Sequence, residues 1–173
     1  HIRATDALNK SSTINSNKHT SVNIQNCHPF KYKDWLFCHN GAISGFSTDG
    51  SIKKRIINKI SDKYIKNITG TTDTEYLFYL ILSENDKTND LQTATRNTYS
   101  FLNESKRTNW LNICISNSHE TIVTRYVSKK NETPPSLYIK KTDKQIMVTS
   151  EPISKTTTGW KLIPKNTFIS LKY

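Results

Sequence analysis

Two hydrophobic periodicities divide this chain, and together they restrict the folds open to it. In the middle of the sequence, apolar residues recur at helical spacing, which predicts helices over residues 51–68, 71–85 and 91–105. Thr72 is expected to cap the second helix, with Glu75 completing a capping box. From Trp110 onward the apolar residues alternate in short runs, which predicts antiparallel strands. Helices followed by such strands indicate an α+β domain, with helices packed on a mainly antiparallel sheet.

Local patterns refine the two ends of the chain. Asn117-Ser118 is expected to close a hairpin, and further strands are predicted within residues 135–141, 144–152 and 160–173. The last of these segments is expected to hold a pair of strands with a turn near Pro164. Residues 6–25 are polar and low in complexity, so they predict a long surface loop. No internal repeat is visible, and one domain is expected to span all 173 residues.

The composition bears on the partners and the compartment. The formal net charge of +11 suits nucleic-acid binding, but the lysines are scattered and no arginine stripe with interleaved aromatic residues is present. No apolar run is long enough to span a membrane, and no secretory h-region is visible. The three cysteines follow no disulfide framework spacing. These features predict a cytoplasmic protein with reduced thiols and with neither a nucleic-acid nor a membrane partner.

The segment "WLFCHNGAISGF", residues 35–46, begins as a strand and continues into a polar pair, Asn40-Gly41. Asn-Gly is a favoured two-residue hairpin turn, so the dipeptide by itself favours a turn between a strand and its return strand. The alternative is an oxyanion hole, in which the Asn40 side-chain amide and the Gly41 backbone N–H stabilise the negative oxygen of a tetrahedral intermediate. Glycine would also allow the backbone to approach a substrate carbonyl closely.

Two Cys-His pairs, Cys27-His28 and Cys38-His39, raise the question of a zinc site. Neighbouring residues on a strand point to opposite faces, so one pair cannot easily supply two ligands to one metal ion. The spacing also differs from the usual arrangement of zinc-binding cysteines. No metal and no other cofactor is therefore expected.

Two charged residues each have an ordinary and a functional interpretation. Asp73 lies in the first turn of a predicted helix, where the helix dipole favours a carboxylate. The alternative is that it binds a substrate ammonium group. Arg3 is either a routine surface charge or a fork for a substrate carboxylate.

Four segments in order, "HIRAT", "NCHPF", "WLFCHNGAISGF" and "GTTDTE", resemble the glutaminase domain of class II glutamine amidotransferases, which are N-terminal-nucleophile hydrolases. Within that family the likeness is greatest to the amidotransferase-like subunit of the fungal glutathione-degradation complex. The related hydrolases of ergothioneine biosynthesis share much of the pattern. The segments "IMVTSEPIS" and "GWKLIPKNTFISLK" extend the likeness over nearly the whole chain.

The resemblance implies a four-layer αββα sandwich and a role for each matching residue. Arg3, with Thr5 as a hydroxyl helper, would hold the α-carboxylate of a γ-glutamyl substrate. Asp73 would bind its α-ammonium group, and Asn40 and Gly41 would form the oxyanion hole. A tight turn at Asn40-Gly41 is expected to present these donors, so the turn and the oxyanion hole are both predicted here.

In this family the nucleophile is a cysteine at the mature N-terminus whose own α-amine acts as base. Cys27, Cys38 and Cys114 are internal and carry no free amine. The resemblance therefore implies an N-terminally incomplete domain that is inactive by itself, with the nucleophile and further strands upstream of His1.

Three functions follow from the resemblance. The first is hydrolysis of a γ-glutamyl amide bond, that of glutathione above all, through a cysteine thioester and beside a metallopeptidase-like partner subunit. The second is a glutaminase domain that supplies ammonia to a partner synthase. The third is a catalytically dead scaffold subunit.

Overall fold

A computed structural model describes residues 24–153 and 157–173 of the chain. After a short 3-10 turn at Ile24–Asn26, the described part holds eight strands and four α-helices. The strands are Phe30–Tyr32 (β1), Trp35–Ile43 (β2), Asn109–Ser116 (β3), Glu120–Arg125 (β4), Tyr138–Lys141 (β5), Ile146–Thr149 (β6), Lys161–Leu162 (β7) and Thr167–Lys172 (β8). The helices are Gly50–Ile57 (α1), Asp62–Ile65 (α2), Asp73–Thr88 (α3) and Leu91–Asn103 (α4).

The strands form two antiparallel sheets. The larger sheet has the order β1-β2-β3-β4-β8, and the smaller has the order β6-β5-β7. The helices cover one face of the larger sheet, where Phe37, Ile115 and Ile122 join their apolar core. On the other face Val123 packs against Leu137 and Ile163 beside the smaller sheet. The described residues therefore form helix, sheet and sheet layers, in agreement with the predicted α+β class, while a fourth, helical layer stays a prediction.

Helix ends follow ordinary capping chemistry. The Thr72 hydroxyl accepts a hydrogen bond from Glu75 N at 3.4 Å, and Asp90 Oδ1 accepts one from Thr93 N at 2.7 Å. The Glu75 carboxylate does not complete the predicted capping box, because it accepts from Thr69 N and Gly70 N in the loop before the helix. The predictions of α3 and α4 are confirmed to within a few residues at their ends.

The helix predicted over residues 51–68 is wrong in one respect, because α1 and α2 are separate. Between them the Ser61 N–H donates to the Ser83 hydroxyl on α3 at 3.0 Å. Ile60 and Tyr64 are nevertheless both buried, at 5% and 4% exposure. The apolar spacing thus predicts which side chains are buried, but not where the helix is interrupted.

The turn predicted at Asn40-Gly41 is also wrong. β1 and β2 turn at Lys33-Asp34, and the pairing runs from Tyr32 opposite Trp35 to Phe30 opposite Phe37. Asn40 and Gly41 lie inside β2, opposite Asn112 and Leu111 of β3. The long register with β3 thus overrides the turn preference of the dipeptide.

The final two strands do not pair with each other as predicted. β7 pairs with β5 in the smaller sheet, and β8 pairs with β4 in the larger one. The crossing point is Ile163, which is 1% exposed between the sheets. The hairpin at Asn117-Ser118 is confirmed, since β3 and β4 flank it in antiparallel register. The loop predicted at residues 6–25 lies outside the described residues apart from Ile24 and Gln25.

Candidate active site

Gly41 lies where one edge of β2 is left open by β1. Among the described strands β1 pairs only with Trp35–Phe37, so it ends before Gly41. Leu111, the cross-strand partner of Gly41, donates its own N–H to Tyr126 O on the far side of β3 at 2.9 Å. In an antiparallel pair of this kind both residues direct their N–H and C=O groups away from each other. The Gly41 N–H and C=O are therefore directed toward the open edge of β2.

The absence of a side chain at Gly41 is required by its surroundings. A Cβ atom there would lie 1.9 Å from Trp110 O and 2.9 Å from His39 Nε2. Those two atoms are hydrogen-bonded to each other at 3.0 Å. Glycine is thus required at this position, because the hydrogen bond between His39 and Trp110 occupies the space that a side chain would need.

His39 is buried and joins three elements. Because a carbonyl oxygen only accepts, His39 Nε2 carries the hydrogen in its bond to Trp110 O on β3. Nδ1 lies 3.1 Å from the Thr74 hydroxyl, which donates to it in the neutral ring. The imidazole therefore fixes β2 between β3 and the first turn of α3, the turn that carries Asp73.

Asp73 is the first residue of α3 and lies at the same open edge of β2 as Gly41. Its Oδ2 accepts the N–H of Ile43 at 2.8 Å. Residues two apart on a strand direct their N–H groups to the same edge, about 7 Å apart. A negative oxygen bound at Gly41 and an ammonium group bound at the Asp73 carboxylate would therefore be separated by the length of an extended amino-acid side chain.

The loop before Asp73 is held by buried polar groups. The Glu75 carboxylate, 3% exposed, accepts from Thr69 N at 2.9 Å and from Gly70 N at 2.7 Å. Asn26 Oδ1 accepts from Thr71 N at 3.0 Å. A Cβ at Gly70 would lie 2.5 Å from that same Asn26 oxygen. Gly70, Thr71 and Glu75 of "GTTDTE" thus hold the loop that precedes Asp73.

Asn40 points to the opposite face of the sheet from His39, as strand alternation requires. Its side chain is exposed, and Nδ2 donates to the Ser150 hydroxyl at 3.2 Å. Ser150 follows β6 directly, so the smaller sheet contributes to the surroundings of the predicted oxyanion hole.

The predicted site residues are thus partly described. The structure brings Asn40, Gly41 and Asp73 to one end of β2, whereas Arg3 and Thr5 lie outside the described residues. Sequence reasoning gave no role to His39, Thr74 or Ser150. A signal was present for the first of these, because a histidine in a strand next to Asn-Gly is unusual for an apolar core position.

Two of the three thiols lie within the larger sheet. Cys38 and Cys114 are cross-strand neighbours on the face toward the smaller sheet. Burial raises the pKa of the Cys38 thiol, and it raises the pKa of Cys114 to about 11. Both are therefore protonated at neutral pH. Across residues 24–153 and 157–173, no three His, Cys, Asp or Glu side chains are arranged to hold a metal ion.

Comparison with known proteins decides the family of this site. The family model described as "Glutamine amidotransferases class-II" matches residues 5–133. The chain belongs to the class II glutamine amidotransferases. The segment matched by the family model ends before β5. Among the described elements it includes strands β1 to β4 and helices α1 to α4.

Individual relatives agree with this assignment. The chain is 29% identical to the "Probable glutamine amidotransferase DUG3" of Saccharomyces cerevisiae over 189 aligned positions, which cover 85% of this chain and 52% of the yeast protein. It thus spans about half the length of that curated relative. A solved class II domain protein from Silicibacter pomeroyi is 26% identical with a TM-score of 0.71, covering 87% of this chain and 68% of the other.

A second solved structure supports the fold. The predicted glutamine amidotransferase of Pseudomonas aeruginosa has a TM-score of 0.53 at 14% identity, and the match covers 86% of this chain and 63% of the other. Two solved structures thus share this arrangement of helices and antiparallel sheets. Separately, none of the described helices combines the length and the apolar character needed to cross a bilayer.

Proposed function

We propose that this chain supplies the substrate-binding and oxyanion-stabilising part of a γ-glutamyl amide hydrolase. The observation that carries the proposal is the open edge of β2, where Gly41 lies two residues before Ile43, whose N–H donates to the Asp73 carboxylate of α3. A γ-glutamyl group has a carbonyl at one end and an α-ammonium group at the other, so it matches this pair of partners.

The chemistry follows from the charges. When a nucleophile adds to the γ-carbonyl carbon, its oxygen becomes negative and the Gly41 N–H and Asn40 Nδ2 donate to it. Asp73 holds the α-ammonium group and so fixes the distance of the carbonyl from these donors. Arg3 and Thr5 are proposed to bind the α-carboxylate.

The nucleophile is proposed to be a cysteine with a free α-amine, which forms a thioester that water then hydrolyses. Cys27, Cys38 and Cys114 are internal residues and do not suit this role. Burial also keeps Cys38 and Cys114 protonated at neutral pH. None of these three thiols is therefore proposed as the nucleophile.

Glutathione is the proposed substrate, on the resemblance of "IMVTSEPIS" and "GWKLIPKNTFISLK" to the fungal glutathione-degradation subunit. A metallopeptidase-like partner that takes the cysteinylglycine product is proposed on the same ground. The alternative, ammonia supply to a synthase, is favoured by the names of the relatives, each of which describes a glutamine amidotransferase or a domain of that class.

The test uses the protein expressed from its complete reading frame. Glutamate release is measured with glutathione and with L-glutamine, and cysteinylglycine or ammonia is measured as the second product. Asn40→Ala is expected to lower kcat about 100- to 1000-fold, the usual effect of losing one oxyanion-hole donor. Asp73→Asn is expected to raise KM most strongly, because the ammonium group loses its counter-charge.

A matched control and a clear contrary result complete this test. Asp143→Asn changes an exposed carboxylate in the turn between β5 and β6 and is expected to leave both constants unchanged. Glutamate release that survives Asn40→Ala and Asp73→Asn unchanged would refute the proposed site. Release of ammonia from glutamine without cleavage of glutathione would favour the alternative function.

A further inference from the structure

Ser150 lies outside the matched family segment, yet its hydroxyl contacts the side chain proposed to stabilise the oxyanion. The Asn40 Nδ2 donates to Ser150 Oγ at 3.2 Å, although the two residues are 110 positions apart in the chain. Ser150 is the first residue after β6, at the end of the smaller sheet. A group from the second sheet therefore reaches the site formed by the larger one.

Ser150 is itself held by further hydrogen bonds. Its carbonyl oxygen accepts from the Ser136 hydroxyl at 2.8 Å. The residue before Ser136 is Pro135, whose carbonyl oxygen accepts from Asn112 Nδ2 and from Arg125 Nε, both at 2.9 Å. Asn112 is 3% exposed and Arg125 is 7% exposed, so these donors are buried and shielded from water.

The chain of contacts closes on its starting point. Asn112 lies directly opposite Asn40 in the register of β3 and β2. The circuit therefore runs from Asn40 across the sheet to Asn112, on through Pro135 and Ser136 to Ser150, and back to the Asn40 amide. Because part of this circuit is buried, it restricts the motion of the exposed Asn40 and Ser150 side chains more than an isolated surface hydrogen bond would.

We infer that Ser150 is a positioning residue for the Asn40 amide, which rests on the proposed function of that amide. One N–H of Nδ2 bonds to Ser150 and the second remains for the negative oxygen of the substrate. Without the serine hydroxyl, the exposed Asn40 side chain samples other rotamers and donates to water. The transition state loses more stabilisation than the bound substrate does, because the oxygen is most negative in the transition state.

The kinetic test compares variants of the protein expressed from its complete reading frame. Ser150→Ala is expected to lower kcat for glutamate release about 5- to 10-fold, with KM changed less than about twofold, because the interaction acts in the transition state. Ser150→Thr keeps the hydroxyl and is expected to restore most of the rate. Ser136→Ala is expected to act in the same direction with a smaller loss.

The matched control is Ser170→Ala, an exposed serine on β8 that lies outside this circuit. It is expected to leave kcat and KM unchanged. A Ser150→Ala variant with unchanged kcat, or with the rate lost equally in Ser150→Thr, would overturn the inference.

A second readout does not depend on turnover. In the ¹⁵N-labelled 173-residue chain the Asn40 side-chain amide is assigned by its disappearance in Asn40→Asp. Ser150→Ala is expected to shift that signal and to speed its hydrogen exchange with water, and Ser170→Ala is not. An unchanged Asn40 signal overturns the inference whatever the activity.

The two proposals can fail separately. If the complete protein releases no glutamate while the Asn40 signal shifts, the proposed function fails and the role of Ser150 in positioning the Asn40 amide stands.

Discussion

The two faces of the larger sheet are covered in different ways. The face toward the helices is closed by a continuous apolar core in which Phe37 stacks on Phe78 with ring centroids 5.2 Å apart. The other face has a small apolar cluster around Val123, and next to it the buried Arg125 donates to the carbonyl oxygens of residues 134, 135 and 163. Apolar burial thus fixes one face, whereas directional hydrogen bonds fix much of the other.

The two sides of the sheet therefore hold different residues of the candidate site in place. The helix side holds Asp73 and His39 in place through a core that tolerates little change in volume. The side of the smaller sheet holds Ser150 over Asn40 through hydrogen bonds, which lose strength wherever water reaches them. We therefore expect the helix side to set global stability and the smaller sheet to open first.

The largest effect is expected from Phe78→Ala. The side chain is fully buried, so its removal leaves a cavity and should lower the free energy of unfolding by about 3–5 kcal/mol. Urea unfolding followed by circular dichroism measures this value. The matched change on the other side is Ile163→Ala, expected near 2 kcal/mol, the low end of the range of about 2–5 kcal/mol for such changes. Equal losses at the two positions would contradict the comparison.

The next effect is expected from Arg125→Met. Three carbonyl oxygens lose a charged donor, so the free energy of unfolding should fall by about 2–3 kcal/mol. Amide hydrogen exchange should accelerate in β5 and β6 while α3 keeps its protection. Arg125→Lys keeps the charge but not the planar fork and is expected to recover only part of the loss. Faster exchange throughout α3 would show that the two sides are not separate.

A smaller effect is expected from Thr74→Val, which removes the hydroxyl that contacts His39 Nδ1 without changing the side-chain shape. The loss of one buried hydrogen bond should lower the free energy of unfolding by about 1–2 kcal/mol. Because Asp73 is the preceding residue, glutamate binding measured by calorimetry should weaken as well. Thr93→Val, at an exposed position of α4, serves as the control. Unchanged glutamate affinity in Thr74→Val would refute the link between His39 and Asp73.

Alkaline pH is expected to separate the two sides without any substitution. Burial raises the pKa of Cys114 from 9.0 to about 11, and it raises those of Tyr64 and Tyr79 from 10.0 to about 12. The unfolded chain therefore loses these protons at lower pH than the folded one, so stability is complete below pH 9 and falls as pH rises. The protection factors of amides near Cys114, which compare exchange with that of the unfolded chain at the same pH, should fall between about pH 9 and 11, before those near the tyrosines of the helix side. Stability that stays level over that range would contradict the assignment.

The elements with strong periodicity were predictable from the sequence. The period of apolar residues located α3, α4 and the hairpin of β3 and β4, because each buries a face that its own spacing defines. The break between α1 and α2 was not predictable, since it depends on the Ser83 hydroxyl of another helix. The strands that pair with β7 and β8 could not be predicted either, because strand pairing joins residues far apart in sequence.

The Asn-Gly pair shows the same limit at the candidate site. Local preference predicted a turn at Asn40-Gly41, and the functional role proposed for the two residues was tied to that turn. In the folded chain they lie within β2, and among the described strands β1 ends before it reaches Gly41. The eight residue pairs between β2 and β3 outweigh the turn preference of a single dipeptide.

By itself the sequence determined the fold class and the motifs that place this chain among the class II glutamine amidotransferases, because periodicity and residue order are local properties. Only the tertiary structure decided that position 41 has no room for a side chain beside Trp110, that Asp73 accepts from the Ile43 N–H, and that Ser150 contacts Asn40. The hydrogen bonds behind these three features join residues that are 30 or more positions apart in the chain. They form only when the layers pack together.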